Sequence, residues 1–263
     1  MTWSRERFSA AENISIREVD GLYYGYGYGY GNSGYMIWLV LMVVCFAFTA
    51  WAQASVSSNF KKYSRVMTRK GITGMQAAQA VLRANGVTGV QFARISGSLT
   101  DNFNPRNNVI SLSGDVCDVN SVAAVGVAAH EAGHAVQYAK NYGPIRLRNA
   151  IIPVCNFGSQ LAWPMMVIGL ILNAVSLVGV GVLLFALATL FQVITLPVEI
   201  NASRRALQAL ESTGLLTADE LPMARKTLFA AAMTYVAALA VSLVQLLRFV
   251  LIFLSRNGGN RRD

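Results

Sequence analysis

The sequence predicts an α+β, mainly helical integral membrane protein with about four transmembrane helices. Three observations lead there. Only 13% of the 263 residues are charged and 54% are hydrophobic, whereas soluble domains carry about 25% charged residues. A stretch near residues 90–113 is rich in strand and turn formers instead. The two histidines of the chain sit four residues apart inside a helix-type run.

Residues 1–34 open polar and then alternate Tyr with Gly from Tyr23. Glycine lowers both helix and strand preference, so this extension reads as flexible. No cleavable signal peptide is expected, because the first apolar run starts near Tyr35, behind a mixed-charge segment. Residues 35–53 carry no charge and suit a membrane anchor, with Tyr35, Trp38 and Trp51 placed for the interfaces.

Residues 54–118 look soluble and open a catalytic region expected over 54–159. Thr73-Gly-Met-Gln76 is a capping-box pattern that opens a short helix, and Asn85-Gly86 closes it. Strand-like pieces follow at Val90–Ile95 and Asn108–Ser113. The Asn-, Asp- and Pro-bearing segment Asp101–Asn107 between them reads as a turn, so a small hairpin is expected. Residues 119–140 form an Ala- and Val-rich helix, apolar on most faces and therefore buried.

Residues 160–198 are almost uncharged and too long for one crossing. They fit a hairpin of two spans broken near Asn173–Gly179. Residues 199–226 turn polar again, and Thr195 followed by Pro197 suggests a new helix start there. Residues 227–254 are a final apolar helix containing Gln245 and Arg248, and residues 255–263 a polar tail.

The net charge of +9, combined with apolar runs, points to the lipid bilayer and not to nucleic acid. Basic residues flank membrane ends at 61–70 and 140–148. The positive-inside rule then puts residues 54–159 in the cytoplasm, and the two-span hairpin returns 199–226 to that side. Arg261 and Arg262 run against the rule if the last helix crosses fully. Cys45, Cys117 and Cys155 lack metal-type or disulfide-framework spacing. The uncharged run 160–198 argues against an ion path.

The chemistry lies in His130-Glu-Ala-Gly-His134. On a helix, positions i and i+4 share a face, so two imidazoles can grip one Zn²⁺ while Glu131 points near its open position. Zinc acidifies water and polarises a carbonyl, and Glu131 can take the proton as general base. Two core histidines serving structure alone are the bland reading. Both histidines of the chain falling in one motif, with the required Glu between them, weighs against it. Ala132 and Gly133 leave room for close backbone approach, and Gly126 one turn earlier for helix packing.

A catalytic zinc takes three protein ligands, and no third histidine exists. The remaining ligand should be Asp or Glu. Glu199, where a span ends, is the first candidate, since an acidic residue at such depth reads as functional. Asp101, Asp115 and Glu211 stay open, as does a plain helix-terminus role for Glu199.

Several blocks resemble the bacterial membrane proteins of the neutral zinc metallopeptidase (YugP-type) family. They are Phe60-Lys-Lys-Tyr-Ser64, Leu99-Thr-Asp101, Gly126-Val-Ala-Ala-His-Glu-Ala-Gly-His134, Asn156-Phe-Gly-Ser159, Leu196–Ala206 and Thr234-Tyr-Val-Ala-Ala238. The resemblance spans roughly residues 50–254 and leaves the Tyr/Gly-rich start outside. More distantly, the order of anchor, motif, two spans and glutamate helix is similar to HtpX-like membrane proteases. That likeness implies Glu199 as third ligand. It also implies an Asp four residues later, orienting a ligating histidine, where this chain has Ser203. Arg204 and Arg205 are read as snorkelling at the membrane edge in preference to steadying an oxyanion.

Together these imply a zincin-like cytoplasmic core holding one Zn²⁺ and hydrolysing peptide bonds of peptide or protein substrates, membrane proteins among them. Strand addition along Asn108–Ser113 is the expected way to align substrate. The rival is a non-catalytic, zinc-stabilised membrane scaffold or chaperone-like protein. A closed structural site would need a fourth protein ligand, and a scaffold has no need for Glu131. Substrate identity, cleavage preference and oligomeric state are not legible.

Overall fold

The computed structural model describes residues 31–259. The Tyr/Gly-rich extension up to residue 30 and the tail from residue 260 lie outside the described residues. The chain comprises two units, Met1–Val44 and Cys45–Asp263.

In the first unit, the described residues are helical from Gly31 onward, the opening turns of α1 (Gly31–Tyr63). Tyr35 and Trp38 bring their rings to 5.9 Å. α1 is one of four helices long and apolar enough to cross a bilayer.

The second unit holds a helical core, a small sheet and three long helices. α2 (Gly74–Ala84) starts with both capping-box bonds between Thr73 and Gln76 formed. The sheet contains β1 (Gln91–Ile95), β2 (Asn102–Asn104) and β3 (Val109–Ser113) in the order β1-β3-β2. This corrects the expected hairpin. β1 and β3 run parallel, with Gln91 opposite Val109 and Ile95 opposite Ser113. The antiparallel partner of β3 is β2, with Phe103 opposite Ile110.

Two features hid this arrangement. β2 is only Asn-Phe-Asn, without the β-branched residues that announce a strand. Its stretch also carries the Asn, Asp and Pro that announce a turn. The tight reversal comes later, at Pro105–Asn108, where Asn108 takes φ +56°, a left-handed conformation that Asn tolerates. Asp101 anchors the start of β2, its carboxylate accepting from the Ser113 backbone N–H at 2.7 Å and from its hydroxyl. The strand at 109–113 is therefore central, and β1 and β2 are the edge strands.

After the short α3 (Gly114–Cys117), helix α4 (Val122–Ala139) runs through the middle of the unit. The Ser121 hydroxyl caps it by accepting from the Ala124 N–H at 3.2 Å. Its apolar residues are buried against Ala78 and Val81 of α2, Ile110 and Leu112 of β3, and Ala206 and Leu210 further on. Burial on most faces is what its Ala- and Val-rich sequence predicts.

α5 (Gly143–Ile171) and α6 (Val175–Ser212) form the expected antiparallel pair, turned at Leu172–Ala174 with Asn173 at φ +51°. The two helices approach closely at Gly181, where a Cβ would stand 2.9 Å from the Ala162 carbonyl oxygen. α6 does not restart near Thr195. It continues through Pro197, and the Thr195 hydroxyl donates to the Phe191 carbonyl one turn back. Proline removes one backbone donor, but the packed neighbours hold the helix continuous. α7 (Leu221–Gly259) completes the unit and also meets the length and hydropathy of a membrane span.

Candidate metal centre

α4 carries His130 and His134 one turn apart, with ring centroids 4.7 Å apart and planes at 82°. α6 brings Glu199 to them. Its Oε2 lies 3.3 Å from His130 Nε2 and 3.5 Å from His134 Nε2. Ligand atoms about 2.0–2.1 Å from one tetrahedral ion stand about 3.3–3.4 Å apart. Both carboxylate-to-imidazole distances therefore match the edge of a zinc ligand tetrahedron, and all three donor atoms lie within 4.8 Å of one another. Among the described residues, these three form the cluster of His, Cys, Asp or Glu able to hold a metal ion.

The helices come this close because of Gly133. A Cβ there would stand 2.5 Å from the Ala202 carbonyl oxygen and 3.1 Å from its carbonyl carbon. No side chain fits against that backbone, so α4 and α6 touch directly beside the cluster. Gly126, by contrast, faces Ala224 at an ordinary 3.5 Å.

Hydrogen bonds fix the tautomer of His134. Gln137 lies fully buried, and its Nε2 donates to the Val198 carbonyl at 2.8 Å and to Asn201 Oδ1 at 3.0 Å. A carbonyl only accepts, so the amide orientation is set and Gln137 Oε1 faces His134 Nδ1 at 3.0 Å. His134 must then carry its proton on Nδ1, which leaves the Nε2 lone pair toward Glu199. Asn201 is held in turn by Arg205 Nε at 2.8 Å. His130 Nδ1 meets the Ser203 hydroxyl at 3.0 Å. Glu199 keeps one oxygen for the cluster because Arg148 Nη1 holds the other, Oε1, at 3.1 Å.

Glu131 is buried beside the histidines. Burial raises its carboxyl, His130 opposes the rise, and Glu199 and Asp101 add to it, while the Phe103 backbone N–H lowers it; the outcome is about 7. A carboxylate poised near neutrality is suited to moving a proton in either direction.

These groups border a cleft of about 610 Å³. Asp101–Arg106, including the free edge of β2, line one side, and Ile145, Arg148 and Ile152 of α5 the other. Tyr235 of α7 also reaches it. Of the other acidic residues weighed as ligands, Asp101 borders the cleft but spends its carboxylate on Ser113. Asp115 sits in the first turn of α3, and Glu211 lines a different groove. Arg204 lines that second groove too, away from the cleft.

Sequence reasoning missed Arg148, Gln137 and Tyr235. Arg148 entered only as one of many basic residues near a membrane end. Gln137 had a usable signal: a polar side chain three residues after His134 in an otherwise apolar helix, hence on the ligand face.

Residues 37–254 match the family model described as "Putative neutral zinc metallopeptidase". The chain belongs to this family. The chain is also 44% identical over 225 residues to "Putative membrane protease YugP" of Bacillus subtilis (strain 168), covering 86% of this chain and all of that one. The family match reaches back into the first apolar run, earlier than the sequence blocks indicated. No solved structure matches. Membership joins the cluster on α4 and α6 to a zinc-peptidase family, and the family match includes both helices.

Proposed function

We propose that this family member is a membrane-embedded zinc metallopeptidase with its cleft on the cytoplasmic side. His130, His134 and Glu199 would hold one zinc ion, which when bound supplies Lewis acidity toward a carbonyl oxygen and a water molecule. The single observation that carries the reading is the set of three donor atoms, with Glu199 Oε2 at tetrahedral-edge spacing from each imidazole nitrogen, beside a buried carboxylate on an open cleft.

In this reading Glu131 removes a proton from the attacking water as its oxygen bonds to the scissile carbonyl carbon. It then returns that proton to the amine nitrogen as the C–N bond breaks. Gln137 holds His134 in the tautomer that presents Nε2, and Ser203 orients the His130 ring. Arg148 keeps Glu199 turned so that one oxygen faces the histidines. The substrate aligns along β2, whose outer edge has no strand partner in the sheet and whose residues line the cleft. Strand addition there uses backbone bonds and tolerates varied side chains. Membrane proteins and their exposed tails fit a cleft walled partly by α5 and α7, both of which continue as candidate spans. Lys61, Lys62 and the other basic residues at membrane ends support the cytoplasmic side.

Metal content of the purified protein tests the ligand set. Wild type and Glu131→Gln should each retain about one zinc, with peptidase activity lost only in the latter. His134→Ala and Glu199→Ala should lose the metal. Full zinc in Glu199→Ala would refute the ligand set. Undiminished hydrolysis by Glu131→Gln would refute the base.

A further inference from the structure

A second groove lies between α6 and α7, on the far side of Ser203 from the metal cluster. It encloses about 550 Å³ and includes Ile200, Arg204, Arg225, Phe229 and Met233 in its walls. α6 has 38 residues and α7 has 39, so each is about 57 Å long at 1.5 Å per residue. A bilayer core is about 30 Å thick. Roughly half of each helix must therefore stand outside it. In α6 every charged residue falls from Glu199 onward, so the membrane boundary lies near Ile200.

The groove is graded along this axis. Ile200 and Met233 are innermost, Phe229 and Arg204 come next, and Arg225 lies a turn further out. Ile200 and Phe229 are largely exposed. Arg204 and Arg225 are exposed as well, and neither has a hydrogen bond or ion pair among the described residues. Glu211 stands at the outer lip.

We propose that this groove binds an anionic phospholipid. Its phosphate sits between Arg204 and Arg225, and one acyl chain runs inward along Ile200, Phe229 and Met233. Guanidinium groups pair well with phosphate oxygens, and basic pockets between membrane helices on the cytoplasmic side take acidic headgroups. The charge order also limits the headgroup. Glu211 repels further negative charge beyond the arginines, so a single phosphodiester fits better than a polyphosphorylated headgroup.

The site has a route to the metal cluster. Ser203 lines the groove, and its hydroxyl holds His130 Nδ1 at 3.0 Å. An occupant that steadies this stretch of α6 also steadies a metal-ligand residue. Lipid binding itself does not depend on the peptidase reading.

The test is native mass spectrometry of the full chain, released from detergent containing equal dioleoylphosphatidylglycerol and dioleoylphosphatidylcholine. Wild type should retain the glycerol lipid at least fivefold over the choline lipid. Arg204→Gln with Arg225→Gln should bring the ratio close to one, with helix and zinc content unchanged. Glu211→Gln should raise retention of the glycerol lipid. Equal retention of both lipids by wild type, or a preference that survives the double variant, would overturn the proposal. So would disulfide-linked dimers of Ile200→Cys or Phe229→Cys forming to completion in glycerol-lipid vesicles, because a second copy would then fill the groove.

Discussion

Replacing Gly133 by Ala adds one methyl group where α4 meets α6. The new Cβ would stand 2.5 Å from the Ala202 carbonyl oxygen, with the carbonyl carbon and Cα also within 3.3 Å. All three are backbone atoms, so no side chain can rotate away. Relief to even a tight contact near 3 Å requires the helices to part by about half an ångström. Zinc–ligand distances hold within about 0.2 Å in a competent site. Glu199 Oε2 already spans to both histidines at 3.3 and 3.5 Å, and it rides on the helix that must move. The variant should lose about 1–3 kcal/mol of stability to overpacking and roughly tenfold or more in zinc affinity. Gly126→Ala is the internal control. It meets Ala224 at an ordinary 3.5 Å and gains about 1 kcal/mol of helix propensity, so it should match or exceed wild-type stability. Thermal unfolding in detergent and zinc competition with a chromophoric chelator read both quantities. If Gly133→Ala and Gly126→Ala behave alike, the close approach is not what sets the ligand geometry.

Other substitutions probe the supporting contacts. Arg148→Leu removes the guanidinium that holds Glu199 Oε1 and leaves a buried carboxylate without its cationic partner, so chelator competition should show zinc affinity down about tenfold. Gln137→Leu removes the acceptor of His134 Nδ1 and strands the Val198 carbonyl; zinc affinity should fall about 10–100-fold, with helix content unchanged by circular dichroism. Glu220 is a purely structural case. Burial raises its carboxyl, but the Thr217 and Arg69 backbone N–H groups outweigh that and hold it below its ordinary 4.5. A lowered folded value means stability that is full above the ordinary value and lost as pH falls through the folded one. Glu220→Gln should therefore cost about 1–3 kcal/mol at neutral pH, and its gap to wild type should close as the pH drops below 4.5.

The long apolar runs and the paired histidines were legible because each follows from a strong periodic or compositional rule. Four helices, the turn near Asn173 and the buried α4 all announce themselves that way. The sheet was harder. Asn102–Asn104 carries no strand signal of its own and pairs only because Asp101 is pinned to Ser113. That long-range contact leaves no mark on local pattern. Pro197 misled for the opposite reason: a strong local signal for a helix start was overridden by packing. Arg148 lies 51 residues from Glu199, so nothing in spacing could join them.

The face that α6 turns toward α4 explains why the site depends on one stripe of one helix. Glu199, Ala202, Ser203 and Ala206 fall at i, i+3, i+4 and i+7, all on one side. The first reaches both histidines, the second receives Gly133, the third holds His130, and the fourth is buried in the core. Ala202 and Ala206 are small enough to let the helices touch, and the two polar members act only because they do. Ser203 separates orientation from contact. Ser203→Ala removes the partner of a half-buried imidazole nitrogen without adding bulk, so zinc affinity should fall about tenfold while the fold persists. Ser203→Asp restores an acceptor and adds negative charge, which raises the basicity of the histidine; its zinc affinity should equal or exceed that of wild type. Chelator competition on the three proteins at one pH decides it. If alanine binds zinc as well as serine does, the hydroxyl at 3.0 Å is a bystander and packing alone aims His130.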